Sequence, residues 1–343
     1  MSSMAEYDRA ADEIRRPGKE PTQGALNMRE LVRLATLAAS SHNTQPWRFR
    51  IHERAISVLP DFARRCPVVD PNDAHLFESL GCAAENLVHA AAVQGHTANV
   101  SFDSTNEEII VRFEHESLAR ATDLSRAIMR RQCTKTPYDG SVLTSEALRL
   151  LEQTGQGAGV RTIFLTARPQ MDAVIEYVTR GNESQLTDPA FRKELVSWIR
   201  FNPGDALRTG DGLSGCTSGQ TSLPTWLAKV IIGVVLTPKA QADVDARNIK
   251  SSAAVAVLVA NRDDKAAWVE AGRTYERLAL QAAALDIRNT FINQPIEVRP
   301  LRHQFESWLG LTGEHALLIV RIGRAPLAPF SLRRPVDHVI ARP

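Results

Sequence analysis

The chain has 343 residues, 43% of them hydrophobic and 23% charged, with a formal net charge of only +2. That length buries a real core and accommodates two modules or one large domain, while the near-neutral balance excludes the concentrated basic surface of a nucleic-acid binder. The four cysteines form no CxxC pair, no histidine cluster stands near them and no HExxH spacing occurs, which excludes a disulfide framework and a zinc site.

In chain order, residues 1–25 read as a flexible N-terminal arm without an apolar signal-peptide core, so a cytoplasmic, reduced setting is expected. Met28 to Ala39 reads as a helix with Leu31, Leu34, Ala35 and Ala38 on one face. Trp47–Ile51 and Ile56–Leu59 read as strands around a turn, and a long helix follows from Pro71-Asn72-Asp73 through Val93, ended by Gly95. Strands are expected near Ala98–Phe102 and Glu108–Phe113, a helix near Asp123–Arg131, a turn at Pro137–Gly140, a helix near Ser145–Gln153 and a strand at Arg161–Leu165. The run Gly155-Gln156-Gly157-Ala158-Gly159 lies after a helix and before a strand, the reverse of a dinucleotide-binding loop, and reads as a turn.

Helices are expected at Gln170–Tyr177, Asp188–Arg200 and Lys265–Leu285, with strands at Val255–Ala260 and Ala316–Ile322. The Gly/Ser/Thr-rich stretch 202–224 reads as a lid-like loop, since long structureless loops in compact domains tend to be covers, binding loops or disorder. The apolar run from Val230 to Leu236 is far short of the ~20 residues that span a bilayer, so no membrane partner is expected.

Leu76–Gly95 aligns with Ala267–Asp286 at a constant offset, pairing Gly81 with Gly272, Glu85 with Glu276, Leu87 with Leu278 and Ala91 with Ala282. Glycine inside a helix costs about 1 kcal/mol, so matched glycines point to close packing. The pattern predicts an α+β fold, internally duplicated as a fused pseudo-dimer, with the two long helices central and antiparallel or mixed sheets flanking them. The first repeat is expected over 26–120 and the second over 121–343.

Three strings carry chemistry. Ala39-Ser40-Ser41-His42-Asn43-Thr44-Gln45-Pro46-Trp47 joins a helix end to a strand and offers neutral donors and acceptors at a Pro-Trp corner. Arg131-Gln132-Cys133-Thr134-Lys135 places two cations four apart, and an arginine fork or lysine point charge meets a phosphate. Arg333-Arg334-Pro335 forms a basic tail. Each string alone is also compatible with a capped turn or a solvated basic face.

Together the strings resemble the signatures of the flavin-dependent nitroreductase family, with Ala39 where Pro is usual and Cys133 where Ser or Thr is usual. The distribution, with the ring string only in the first half and the phosphate strings only in the second, resembles the single-chain, dormancy-associated nitroreductase-like proteins of mycobacteria. The resemblance implies one FMN, its ring held by Ser40, Ser41, Asn43 and Gln45 and its phosphate by Arg131, Cys133, Lys135 and the Arg333/Arg334 pair, Arg333 favoured. It implies two-electron reduction of a nitroarene or quinone-like acceptor by NAD(P)H, with no side chain required as general acid. An alternative is an FMN-sequestering protein whose lid bars NAD(P)H, and a third is a cofactor-free interaction protein. A monomeric pseudo-dimer is expected, with a homodimer left open.

Overall fold

Two helices of twenty residues, Ala74–Val93 and Lys265–Ala284, cross at the centre of the molecule and are buried along most of their length. Their approach is set by glycine. A Cβ on Gly81 would lie 2.1 Å from the carbonyl oxygen of Val269, and one on Gly272 would lie 1.9 Å from that of Glu78. No other residue admits backbones this close. The computed structural model describes residues 3–16, 26–115, 120–218 and 223–341.

The first half runs α1 (Met4–Arg15), α2 (Met28–Ala35), β1 (Trp47–Ile51), β2 (Ala55–Pro60), α3 (Ala74–Val93), β3 (His96–Asp103) and β4 (Glu108–His115). A short helix α4 (Asp123–Ala127) leads to α5 (Ser145–Thr154), β5 (Gln156–Gly157) and β6 (Val160–Leu165). Then come α6 (Arg168–Thr187), α7 (Pro189–Trp198), β7 (Ile199–Arg200), α8 (Pro203–Thr209), β8 (Leu213–Ser214), α9 (Thr225–Val235) and α10 (Pro238–Lys250). The chain closes with β9 (Ala254–Ala260), α11 (Lys265–Ala284), β10 (Arg288–Phe291), α12 (Gln294–Glu297), α13 (Arg299–Trp308), β11 (His315–Gly323) and α14 (Val336–Val339).

The fold is α+β, with the α3–α11 pair between two antiparallel sheets of order β1-β2-β4-β3 and β10-β11-β9-β6-β5. Read from the strand that follows its long helix, each sheet runs in the same sense: that strand, the next strand, the strand before the helix, then an earlier strand, which is β1 in the first sheet and β6, followed by β5 at the edge, in the second. Strand β9 is central and buried at every position, which is why its sequence AVAVLVA is an unbroken apolar run. One hydrophobic cluster runs from α2 and β1 through both central helices to β11, so the two halves share a core. No helix among the described residues is long and apolar enough to cross a membrane, and the four cysteines are free.

Several expectations need correction. Residues 4–15 of the supposed arm form a helix: Ser3 and Glu6 close a capping box, and Tyr7 and Ala11 are buried against Ala206 and Leu332. Residues 1–2 and 17–25 lie outside the described residues. Helix α2 stops at Ala35, where the backbone tightens into Leu37 N–Leu34 O and Ala38 N–Ala35 O bonds, and α4 stops at Ala127. The segment 202–224 is not structureless. Asn202 caps α8 by accepting from the Asp205 amide at 2.9 Å, Pro203 starts the helix, and Gly210 ends it in the left-handed region. Residues 219–222 lie outside the described part of that segment. The boundary drawn at 121 is also crossed: Ala341 donates to Phe49 of β1 at 2.8 Å, and α14 packs on α2 and β1.

Candidate functional site

The string from Ala39 to Phe49 leaves the end of α2 and turns sharply into β1. The turn holds three non-glycine residues in left-handed backbone, His42 at φ 48°, Asn43 at 53° and Gln45 at 54°. Such conformations cost on the order of 1 kcal/mol or more each and persist where surroundings impose them. Here the surroundings are specific. The Ser40 hydroxyl accepts from the Gln45 amide at 3.1 Å, and the Ser41 amide donates to the Ser79 hydroxyl of α3 at 3.3 Å. The Asn43 side-chain amide donates to the carbonyls of Gly212 at 3.1 Å and Leu332 at 3.3 Å, while the Gly212 amide donates back to the Asn43 carbonyl.

Gln45 and Arg334, expected at the cofactor, are bonded to each other and to the 210–212 turn. Gln45 is fully buried; its side-chain amide donates to Gly210 at 2.8 Å and its side-chain oxygen accepts from the Arg334 backbone at 2.9 Å. The Arg334 guanidinium donates to the Gln45 carbonyl at 3.2 Å and stands 3.6 Å from Asp61. These two residues brace the string against the C-terminal tail and the 210–212 turn, and both ends of the Gln45 amide are spent inside the protein.

Arg131, Cys133 and Arg333 are brought together just beneath the start of the string, with Lys135 near Cys133. Arg131 donates to the Leu37 carbonyl at 2.5 Å, and its Nε stands 3.0 Å from Glu276 of α11, at an angle that forms no hydrogen bond. Glu276 also accepts from the Ala39 amide at 3.3 Å. Arg333 donates to the carbonyls of Thr36 at 2.7 Å, Leu37 at 3.1 Å and Ala38 at 3.2 Å, so the two arginines cap the end of α2.

Cys133 is the common neighbour: its Sγ lies 3.9 Å from the Arg131 guanidinium and 3.7 Å from the Tyr275 hydroxyl. Burial lowers the Arg131 guanidinium, but the Glu276 carboxylate and weaker neighbours together outweigh it and hold Arg131 above its ordinary value. Arg333 is pushed down to about 10 by burial and then by repulsion from Arg131. Half-buried Lys135 is lowered by desolvation. Two arginines thus meet one carboxylate, with Lys135 close by at Cys133.

Lys135 also links the strings, because its charge is felt by His42. Burial pushes the His42 imidazole down to about 4, with Glu297 opposing and Lys135 and His75 adding to the shift. Behind His42 lies a buried proton-holding array. His75 of α3 meets Glu78 at 2.6 Å and Glu297 of α12 at 3.5 Å, and Gln185 of α6 donates to Glu297 at 2.6 Å. Burial raises Glu78 to about 7, while Glu297 is held below its ordinary value by His75 and Gln185 against the effect of burial. The array is not foreseen in the sequence, where Gln185 and Glu297 stand far from the His75/Glu78 pair and the four share no motif. Arg15 of α1 is missed too; it reaches the Arg131–Arg333 cluster from an N-terminal segment that reads as solvated.

No protein-family model matches the chain. Among characterised sequences it is similar to "Putative NAD(P)H nitroreductase Rv3131" of Mycobacterium tuberculosis, 24% identical over 334 residues that cover 93% of this chain and 92% of that protein. It is also similar to "Putative NAD(P)H nitroreductase acg" of the same organism, 23% identical over 91% of this chain and 94% of that protein. Among solved structures, a nitroreductase with bound FMN from Bacteroides fragilis aligns with 60% of this chain and 90% of its own, at 11% identity and a TM-score of 0.38. The NADPH:FMN oxidoreductase of Vibrio harveyi complexed with NAD+ aligns with 64% and 77%, at 11% identity and a TM-score of 0.40.

Proposed function

We propose, for a chain related along nearly its whole length to NAD(P)H nitroreductases, that it binds one FMN and passes electron pairs from NAD(P)H to a nitroaromatic or quinone-like acceptor. The observation that carries this reading is the cationic excess around Cys133. Arg131 and Arg333 face one carboxylate, Glu276, in a buried setting, and Lys135 adds a third cation near Cys133. Each uncompensated buried ion costs several kcal/mol, and a phosphate ester of up to two negative charges at this point offsets that cost. The donor set fits the group: two arginine forks and one lysine, with Arg131 Nε held by no hydrogen bond.

In this reading Arg131, Arg333 and Lys135 bind the phosphate, exchanging carbonyl partners at the end of α2 for ligand oxygens. Ser40, Ser41 and Asn43 present hydroxyls and backbone to the ring's polar edge, on a turn whose left-handed residues fix their direction. FMN, when bound, supplies the two-electron redox chemistry. The chain's own residues bind and orient it and exclude water. The like strand order of the two sheets and the matched helix glycines support the view that the chain is a fused pseudo-dimer with one completed site. Gln45 and Arg334 act as braces of that site.

The sequestering alternative has one observation in its favour: Gly210 and Gly212 are tied to Gln45 and Asn43, so the 202–218 segment is fastened to the ring string. Absorbance of the purified chain with FMN quantified tests both. One FMN per chain, bleached within seconds by anaerobic NADPH or NADH, is the expected result. A spectrum that only dithionite bleaches transfers the function to sequestration, and a chain that stays colourless with added FMN overturns flavin binding.

Cys133→Ser sharpens the phosphate assignment. A thiol is a weak donor and a hydroxyl a good one, and a hydrogen bond to a charged group contributes about 1.5 kcal/mol or more. FMN affinity is expected to rise roughly tenfold, as measured by flavin fluorescence titration. A loss of affinity places Cys133 away from the phosphate.

A further inference from the structure

We propose that Arg15, delivered by the N-terminal helix α1, is a third arginine of the phosphate site, and that α1 thereby straps the cofactor in place. The inference rests on the FMN reading above and extends it to a residue outside all three motifs.

Arg15 is 8% exposed, and its Nε has no hydrogen-bond partner. One guanidinium nitrogen donates to the Ser331 carbonyl at 3.2 Å, and the group lies 4.1 Å above the Phe330 ring. The residues facing it are the wrong ones for a structural arginine. Burial, then repulsion from Arg333 and Arg131, hold it well below its ordinary value, and its attractive neighbours are Tyr7 and Asp12 of its own helix. Asp12 is exposed. Among the described residues no carboxylate forms an ion pair with Arg15. A buried arginine kept for stability is paired, and replacing an unpaired one by an apolar side chain is stabilising. An anion between Arg15, Arg131 and Arg333 resolves the conflict: it turns mutual repulsion into shared attraction and gives the idle Nε an acceptor.

The helix does not depend on Arg15 to dock. Tyr7 is fully buried, its hydroxyl donates to the Phe330 carbonyl at 2.9 Å, and Ala11 packs with it against Ala206 and Leu332. The same tail segment carries Arg333. Helix α1 therefore lies across the backbone that presents the C-terminal arginine, and its last turn points a second one at the same place.

The test compares ligands with and without the phosphate. Full-length wild type and Arg15→Met are titrated with FMN and with riboflavin, and the thermal unfolding of each apoprotein is recorded. Arg15→Met is expected to weaken FMN binding by ~10- to 100-fold, to leave riboflavin binding unchanged, and to leave the apoprotein's Tm unchanged or higher. Should riboflavin bind too weakly to titrate, the rise in wild-type Tm caused by inorganic phosphate serves in its place, and Arg15→Met is expected to lose that rise. FMN and riboflavin weakened in parallel, or an unmoved FMN affinity, overturns the assignment of Arg15 while leaving FMN binding intact. A wild type that binds neither flavin removes the cofactor reading, and this inference with it.

Discussion

Arg131→Met is expected to raise the FMN dissociation constant by ~10- to 150-fold and, separately, to destabilise the apoprotein by roughly 3–5 kcal/mol. The two losses have different origins. The first is the removal of a phosphate fork. The second arises because Glu276, fully buried in α11, keeps only the Ala39 amide at 3.3 Å and the weaker pull of Arg333 once its guanidinium partner is gone. Breaking a buried pair from one side strands the other charge, which is far costlier than removing both.

The double variant Arg131→Met/Glu276→Gln separates these effects. It should recover most of the stability, because a neutral amide needs no counterion, and it should recover none of the FMN affinity. The pH dependence gives a second check. Burial already pushes the Glu276 carboxyl above its ordinary value, with Arg131 opposing. In the single variant that opposition is lost, so the folded-state value rises further above the unfolded one. A carboxyl raised in this way destabilises the fold as pH rises through the folded-state value and ceases to do so once protonated. The stability deficit of Arg131→Met against wild type should therefore shrink as pH falls toward about 5, as read by denaturant titration at a series of pH values. A deficit that is flat with pH means Glu276 is not the stranded group.

The parts of the site that motifs encode were legible in the chain, and the parts that tertiary packing decides were not. The spacing to Pro335 favours Arg333 over Arg334, and the structure puts Arg333 beside Arg131 while Arg334 turns to Gln45 and Asp61. Gln45 reads as a ligand because its amide suits a flavin edge equally well. Only the fold shows that Gly210 and Arg334 claim both of its ends. Arg15 reaches its cluster from α1, and Glu297 of α12 joins the His75/Glu78 pair of α3, so neither grouping shows in the spacing. Helix α8 is legible in principle: Asn202-Pro203 and Gly210 are ordinary start and stop signals. The surrounding Gly/Ser/Thr composition outweighs them. Helix α1 is lost for the opposite reason, since a short polar segment shows its one buried face only when Tyr7 and Ala11 have something to pack against.

Gly272→Ala separates intrinsic propensity from packing most sharply. Considered alone, glycine in the interior of a helix is a defect, and alanine improves it by about 1 kcal/mol. At Gly233 in α9 that term decides the outcome, because an added Cβ meets only the end of the Arg192 side chain at 4.0 Å, and Gly233→Ala should be neutral or stabilising. At Gly272 the same methyl lands 1.9 Å from the Glu78 carbonyl oxygen, 2.6 Å from its carbon and 2.8 Å from its Cα. Backbone in the middle of a buried helix has no rotamer to move to, so the helices must separate. Overpacking of a rigid core typically costs about 1–3 kcal/mol and sometimes more, and here the whole α3–α11 seam gives way with it. A net loss of about 3 kcal/mol is expected, lowering Tm by about 4–5 °C for a chain of this size. Glu78 shifts directly and Glu276 lies one turn along the same helix face from Gly272, so FMN affinity should fall as well. A Gly272→Ala protein as stable as wild type, with Gly233→Ala behaving the same way, would mean that the central helices have room to spare and that their glycines are not what brings the two halves together.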